Sequence, residues 1–199
     1  MDISLSGRSA IVTGGSKGIG FAIATRFTAS GGDVAIVGRG REALDSAVKQ
    51  IGAAAKGRIV GVQGDVGTMA GVQAAYDQAM AAFGKIDIIV NNAGTSATGP
   101  FEKLTDEIMQ ADLDLKLFAA IRLARLVWPQ MKERRWGRII NILNIGAKAP
   151  RANSAPTSIS RAAGMAFTKI LAGEGAPHNV LVNALLVGFR PEQYAESIA

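Results

Sequence analysis

The stretch Ser9-Ala-Ile-Val-Thr-Gly-Gly-Ser-Lys-Gly-Ile-Gly20 constrains the fold more than any other part of the chain. Ser9 to Val12 is a short apolar run that predicts a buried strand, and Phe21, Ile23, Ala24 and Phe27 recur with a helical period. Between the two, Gly14, Gly18 and Gly20 predict a turn. A strand, a glycine turn and a helix in succession make a cradle for phosphate. Glycine lets backbone N–H groups come close to an anion, and the start of the helix adds unpaired donors and a positive dipole end. The plain alternative is a tight turn before a helix.

The rest of the chain repeats the strand-helix alternation. Gly31-Gly32 closes the first helix, Asp33 to Val37 predicts a second strand, and Arg41 to Ile51 a second helix. A third strand is expected over Arg58 to Gln63, a helix over Met69 to Phe83, and a fourth strand over Ile86 to Val90. Helices over Phe101 to Gln110 and Ala111 to Lys132 precede a fifth strand, Arg138 to Leu143; a helix from Ser158 to about Gly173 precedes a sixth, Val180 to Leu186. Such alternation requires right-handed crossovers and a parallel sheet with helices on both faces. The expected fold is a Rossmann-type, doubly wound α/β sheet ending after about the sixth strand, in one domain over 1–199.

A chain of 199 residues that is 48% hydrophobic can bury one substantial core. With no cysteine and one histidine, His178, neither a disulfide nor a thiolate- or histidine-rich metal site is possible, and no metal is expected. Met1-Asp2-Ile3-Ser4-Leu5 lacks the basic and apolar regions of a leader, and no apolar run reaches the length of a membrane span. Cytoplasmic residence is therefore expected. The net charge of +6 is spread out, apart from Lys132-Glu-Arg134-Arg135 and nearby Arg138. That cluster ends a predicted helix, where cations favour the dipole, so nucleic acid is the lesser reading.

Arg39 lies 19 residues past Gly20. Dinucleotide folds place there the residue that meets the adenosine ribose, an acid for a 2′-hydroxyl and an arginine for a 2′-phosphate. Arg39 therefore points to NADP(H), and Lys17 can set a second cation near the same phosphate.

The spacing Thr13-Gly14-x-x-x-Gly18-x-Gly20, with Asn91-Asn92-Ala93-Gly94 after the fourth strand, resembles the short-chain dehydrogenase/reductase family from about Leu5 to about Gly188. The resemblance implies cofactor contacts at Thr13, Gly14, Ser16, Lys17, Gly18, Ile19, Gly20, Arg39, Asp65, Val66, Asn92, Ala93, Gly94 and Arg161. Asp65 takes the adenine contact by resemblance, and an N-cap role for the helix from Met69 is compatible with it. The asparagines are expected to tie strand ends together beside the nucleotide. By resemblance, the helices over 111–132, with apolar Leu115, Phe118, Ala119, Leu123 and Leu126, and over 158–173 form the face of a homodimer or homotetramer; alternatively both pack on the sheet.

The family's chemistry rests on a serine, a tyrosine and a lysine around the fifth strand and the next helix, with an asparagine on the preceding helix. Aligned on that pattern, the chain has Asn144, Thr157, Arg161 and Asp114. A threonine hydroxyl does not titrate usefully, whereas tyrosine, with a reference pKa of about 10, can be drawn toward neutrality by a neighbouring cation. Asn144 can still donate an amide N–H to a carbonyl, and Arg161 can still bind ribose hydroxyls. After the sixth strand the family carries Pro-Gly, a substrate-covering segment and a last strand. Here the sequence reads Val187-Gly188-Phe189-Arg190 and continues to Ala199, so neither is expected. Two functions follow: an NADP(H)-dependent oxidoreductase of a carbonyl/alcohol substrate with a divergent site, or an NADP(H)-binding subunit or sensor without hydride transfer.

Overall fold

A computed structural model describes residues 3–188. In chain order the strands are β1 (Ser9–Thr13), β2 (Asp33–Gly38), β3 (Ile59–Gln63), β4 (Ile88–Asn91), β5 (Thr98–Gly99), β6 (Gly137–Asn144), β7 (Ala155–Pro156) and β8 (Val180–Val187). The α-helices are α1 (Gly18–Ala29), α2 (Arg41–Gly52), α3 (Met69–Phe83), α4 (Asp106–Leu113), α5 (Ala119–Glu133) and α6 (Thr157–Gly175). Six strands pair in parallel in the order β3-β2-β1-β4-β6-β8. The chain is a Rossmann-like α/β fold, as expected.

Helices on both faces explain why β1, β2 and β4 are continuous apolar runs rather than alternating ones. Successive side chains point to opposite faces. Ile11 therefore packs with Val72, Leu123 and Val127 under α3 and α5, while its neighbour Val12 packs with Ala24 and Leu44 under α1 and α2. Strand order reverses between β1 and β4. At such a switch point the loops leaving the carboxyl ends of two adjacent strands diverge and open a crevice, which places the site.

The segment 101–132 departs from the expected pair of helices. Phe101–Lys103 is a single 3-10 turn, and Thr105 then caps α4 by accepting a hydrogen bond from Ile108 N at 3.3 Å. Between α4 and α5 lies one π turn, Asp114–Phe118. A π turn takes up an extra residue and shifts the register of everything after it. The apolar stripe consequently splits: Ala119 and Leu123 are buried, Leu115 and Leu126 are half-buried, and Phe118 is 36% exposed. Two-residue β5 and β7, which pair antiparallel, carry no pattern long enough to be read from sequence.

At the end of α5, Arg134 donates to Ile86 O at 2.7 Å and stands 3.4 Å from Asp87, so part of the basic cluster serves the fold internally. Among the described residues β8 is the outer strand beside β6, with Leu181 and Leu185 exposed. The expected lack of a covering segment and a seventh strand concerns residues 189–199, which lie outside the described residues. Among the described residues no helix is long and apolar enough to cross a membrane.

Candidate functional site

The glycine turn is fixed to its neighbours by backbone and amide groups. Val37 O accepts from Gly14 N at 2.8 Å, and Gly14 and Gly18 adopt φ of +65° and +58°, in the left-handed region that favours glycine. A Cβ on Gly20 would stand 2.3 Å from Gly14 O and 2.5 Å from Asn92 Nδ2. Asn92 Nδ2 donates to Thr13 O at 2.9 Å and Gly14 O at 3.2 Å. Thr13 Oγ1 in turn accepts from the N–H groups of Asn92 and Ala93, each at 3.0 Å. Asn91 Nδ2 donates to Asn141 Oδ1 at 2.8 Å, and Asn141 Nδ2 to Thr168 Oγ1 at 2.9 Å, which links β4, β6 and α6.

Over this frame opens a cleft of about 420 Å³, within the usual range for small-ligand sites. It brings together Gly14, Ser16, Lys17, Arg39, Asp65, Val66, Ala93 and Gly94. Thr13, Gly20 and Asn92 stand behind it as framework, and Gly18 and Ile19 are exposed at the start of α1. Arg161 reaches Gly94 from α6: a Cβ there would lie 2.7 Å from Arg161 Nη2. Asp65 does not cap α3; Thr68 does, accepting from Gly71 N at 3.0 Å, while Asp65 Oδ1 accepts from Gly67 N at 2.9 Å. The residues suit a dinucleotide. Backbone around Gly18 is open, since a Cβ there would meet nothing within 4 Å, and two cations rim the cleft.

Beside Gly94 lies a buried polar cluster. Lys116, whose side chain is fully buried, is paired with Asp112 and donates to Thr157 Oγ1 at 2.8 Å. Ser160 Oγ donates to Asp112 Oδ2 at 2.5 Å. Thr157 Oγ1 also accepts from Ala97 N at 3.1 Å and donates to Ala97 O at 2.7 Å, so it grips both backbone groups of the loop after β4. Arg161 donates from Nη1 to Ile142 O at 2.9 Å. Its Nε and Asn144 Oδ1 are the two buried side-chain polar atoms left without a hydrogen-bond partner among the described residues. Unsatisfied groups of this kind are costly and concentrate where a ligand completes them.

Asp114 is not part of this cluster. Its carboxylate faces outward, accepting from Gln110 at 2.8 Å and from Arg122 at 2.8 Å. Those partners, Gln110 first, hold its carboxyl below the ordinary aspartate range. The inward positions of the same helical segment belong to Asp112 and Lys116, which sequence reasoning missed together with Ser160. A charged residue inside the apolar run Leu115-Lys116-Leu117-Phe118 was the available signal.

A family model described as short chain dehydrogenase matches residues 8–196. The chain is 35% identical to acetoacetyl-CoA reductase of Shinella zoogloeoides, across 92% of this chain and 73% of that one. Among solved structures, L-sorbose reductase from Gluconobacter frateurii, complexed with NADPH and L-sorbose, superposes with a TM-score of 0.91 at 35% identity, covering 100% of this chain and 77% of that one. The 3-ketoacyl-(acyl-carrier-protein) reductase from Brucella melitensis, complexed with NADH, gives a TM-score of 0.87 at 32% identity over 93% and 76% of the two chains. With the glycine turn, the Asn-Asn-Ala-Gly corner and the cleft over them on one fold, the chain belongs to the short-chain dehydrogenase family, nicotinamide-dependent oxidoreductases of carbonyl and alcohol substrates.

Proposed function

We propose that the protein is an NADP(H)-dependent oxidoreductase of a small carbonyl or alcohol, with a proton-delivery site that differs from the family's usual set. The observation that carries the NADP(H) preference is that Lys17 and Arg39 rim the same cleft as the glycine turn and Asp65. A 2′-phosphate can pair with both cations, and an arginine can do so bidentately. When bound, the reduced nicotinamide supplies a hydride to a carbonyl carbon, which leaves the chain to hold the substrate, exclude water and bring one proton to the oxygen. Arg161 Nε is a candidate donor to the nicotinamide ribose, and the Asn144 amide is a candidate for polarising the carbonyl.

Titrating NADPH and NADH by fluorescence tests this reading. NADPH is expected to bind roughly 10- to 100-fold more tightly, the equivalent of one or two charge-assisted hydrogen bonds. Arg39→Asp should erase or reverse the difference. Equal affinities in the wild type would overturn the preference.

One observation favours the second reading, cofactor binding without hydride transfer: the Thr157 hydroxyl is already engaged with Ala97 and Lys116. Turnover with any carbonyl compound decides between the two. Self-association through α5 and α6 belongs to the same proposal. A groove of about 370 Å³ between them is lined by Trp128, Phe167 and Leu171, with Ile170 59% exposed beside it. Cytoplasmic residence is part of this reading too.

A further inference from the structure

We propose that Lys116 is the proton source for carbonyl reduction, passing its proton through the Thr157 hydroxyl, so that an ammonium on the π turn replaces the tyrosine the family uses. The proposal rests on the oxidoreductase reading above.

Lys116 stands four residues after Asp112, on the same helical face, and both are buried on the inward side. It lies within the π turn Asp114–Phe118, and single π turns recur at functional sites. A fully buried ammonium is expensive to hold, and apolar side chains of similar shape would make a cheaper core. Of its three hydrogens, Asp112 takes one and Thr157 another. Asp112 also accepts from Ser160 at 2.5 Å, which fixes the carboxylate and, through it, the direction of Lys116.

Thr157 Oγ1 receives hydrogen bonds from two donors, Lys116 Nζ at 2.8 Å and Ala97 N at 3.1 Å. Both lone pairs are thereby used, and the hydroxyl's own hydrogen must point at an acceptor. Ala97 O, at 2.7 Å, accepts it; a negatively charged substrate oxygen is the stronger acceptor and would draw that hydrogen to itself.

The balance is simple. The two electrons arrive with the cofactor's hydride, the substrate oxygen takes the Thr157 proton, and Thr157 takes one from Lys116. Lys116 is left as a neutral amine beside Asp112, and solvent restores its proton after product leaves. The charged groups facing Lys116 are Asp112 from α4 and Arg161 from α6. Burial is the largest influence and pushes the ammonium below the ordinary lysine value of 10.5; Asp112 opposes this and Arg161 adds to it. Lys116 is therefore more acidic than a surface lysine, as a donor should be.

The test compares wild type with Lys116→Met and Lys116→Arg, the latter keeping the charge but not yielding a proton. Circular dichroism reports folding, fluorescence reports NADPH affinity, and single-turnover NADPH oxidation is followed with ethyl acetoacetate and L-sorbose from neutral to alkaline pH. Both variants are expected to bind NADPH within about threefold of wild type and to oxidise it roughly 100- to 10,000-fold more slowly. The wild-type rate should fall as pH rises through the Lys116 pKa, a limb absent from the variants. In the cofactor-free protein, the lysine ε-carbon NMR signal that Lys116→Met removes should titrate below the ordinary lysine range. A variant that keeps the wild-type rate and alkaline limb, or a Lys116 signal that titrates like a surface lysine, overturns the proposal alone. NADPH that binds wild type but is oxidised by neither compound overturns the oxidoreductase reading and this proposal together.

Discussion

Gly20→Ala is expected to cost more cofactor affinity than any other single methyl added to the glycine turn. The new Cβ would stand 2.3 Å from Gly14 O, a backbone atom, and 2.5 Å from Asn92 Nδ2, a side-chain end pinned by its hydrogen bonds to Thr13 O and Gly14 O. Gly14 O already accepts from Asn92 Nδ2 at 3.2 Å, so the methyl lands inside the stitch that holds β1 to β4. Overpacking of this kind costs about 1–3 kcal/mol. Because the turn itself must move, the strain should appear as a roughly five- to hundredfold loss of NADPH affinity. Gly173→Ala on α6, where a Cβ meets nothing within 4 Å, is the control. It should leave affinity unchanged and add about 0.5–1 kcal/mol of stability. Unaltered NADPH affinity in Gly20→Ala would show that the turn does not carry the cofactor.

Asp87→Ala should produce the opposite pattern, a large loss of stability with little loss of affinity. Asp87 is fully buried just before β4, at the amino ends of the strands and far from the cleft at their carboxyl ends. Its carboxylate lies 3.0 Å from Lys85, 3.4 Å from Arg134 and 3.9 Å from Arg8, and accepts from Ser9 N at 3.2 Å. Stripping one partner from a buried ion pair costs about 3–5 kcal/mol, but these cations are 31–40% exposed and can regain water. The expected loss is therefore about 2–4 kcal/mol, or roughly 5–15 °C in Tm for a chain of this size. Asp87→Asn, which keeps an acceptor for Ser9 N, should lose less. Calorimetry that finds the alanine variant as stable as wild type would mean that the three cations do not depend on Asp87.

The two variants separate what the sequence made legible from what it did not. Buried parallel strands are nearly continuous apolar runs, so β1, β2 and β4 stand out in any reading, and glycine spacing shows the turn because no other residue fits Gly14 and Gly20. Arg39 is found by counting from that turn and Lys17 lies within it, and both line the cleft. Less could be read from 101–132. A helical period pairs Asp112 with Lys116 and sets Asp114 opposite, but it cannot say which side faces inward. The packing decides it, with Asp114 against Arg122 outside and Lys116 against Thr157 inside. The π turn over Asp114–Phe118 has no residue signature of its own. Asp65 and Thr68 show the same limit at smaller scale, since either could cap α3 and only the geometry of Gly71 N selects Thr68.

The proposed reaction is hydride transfer from NADPH with a proton that does not come from a tyrosine. Its most direct test is stopped-flow oxidation of stoichiometric NADPH by the wild-type protein with ethyl acetoacetate or L-sorbose, paired with identification of the alcohol formed. NADPH should be consumed in step with alcohol, faster than NADH under the same conditions, and more slowly as the solution is made alkaline. NADPH that binds tightly yet persists unoxidised beside both compounds would contradict the claim and leave a cofactor-binding protein in its place.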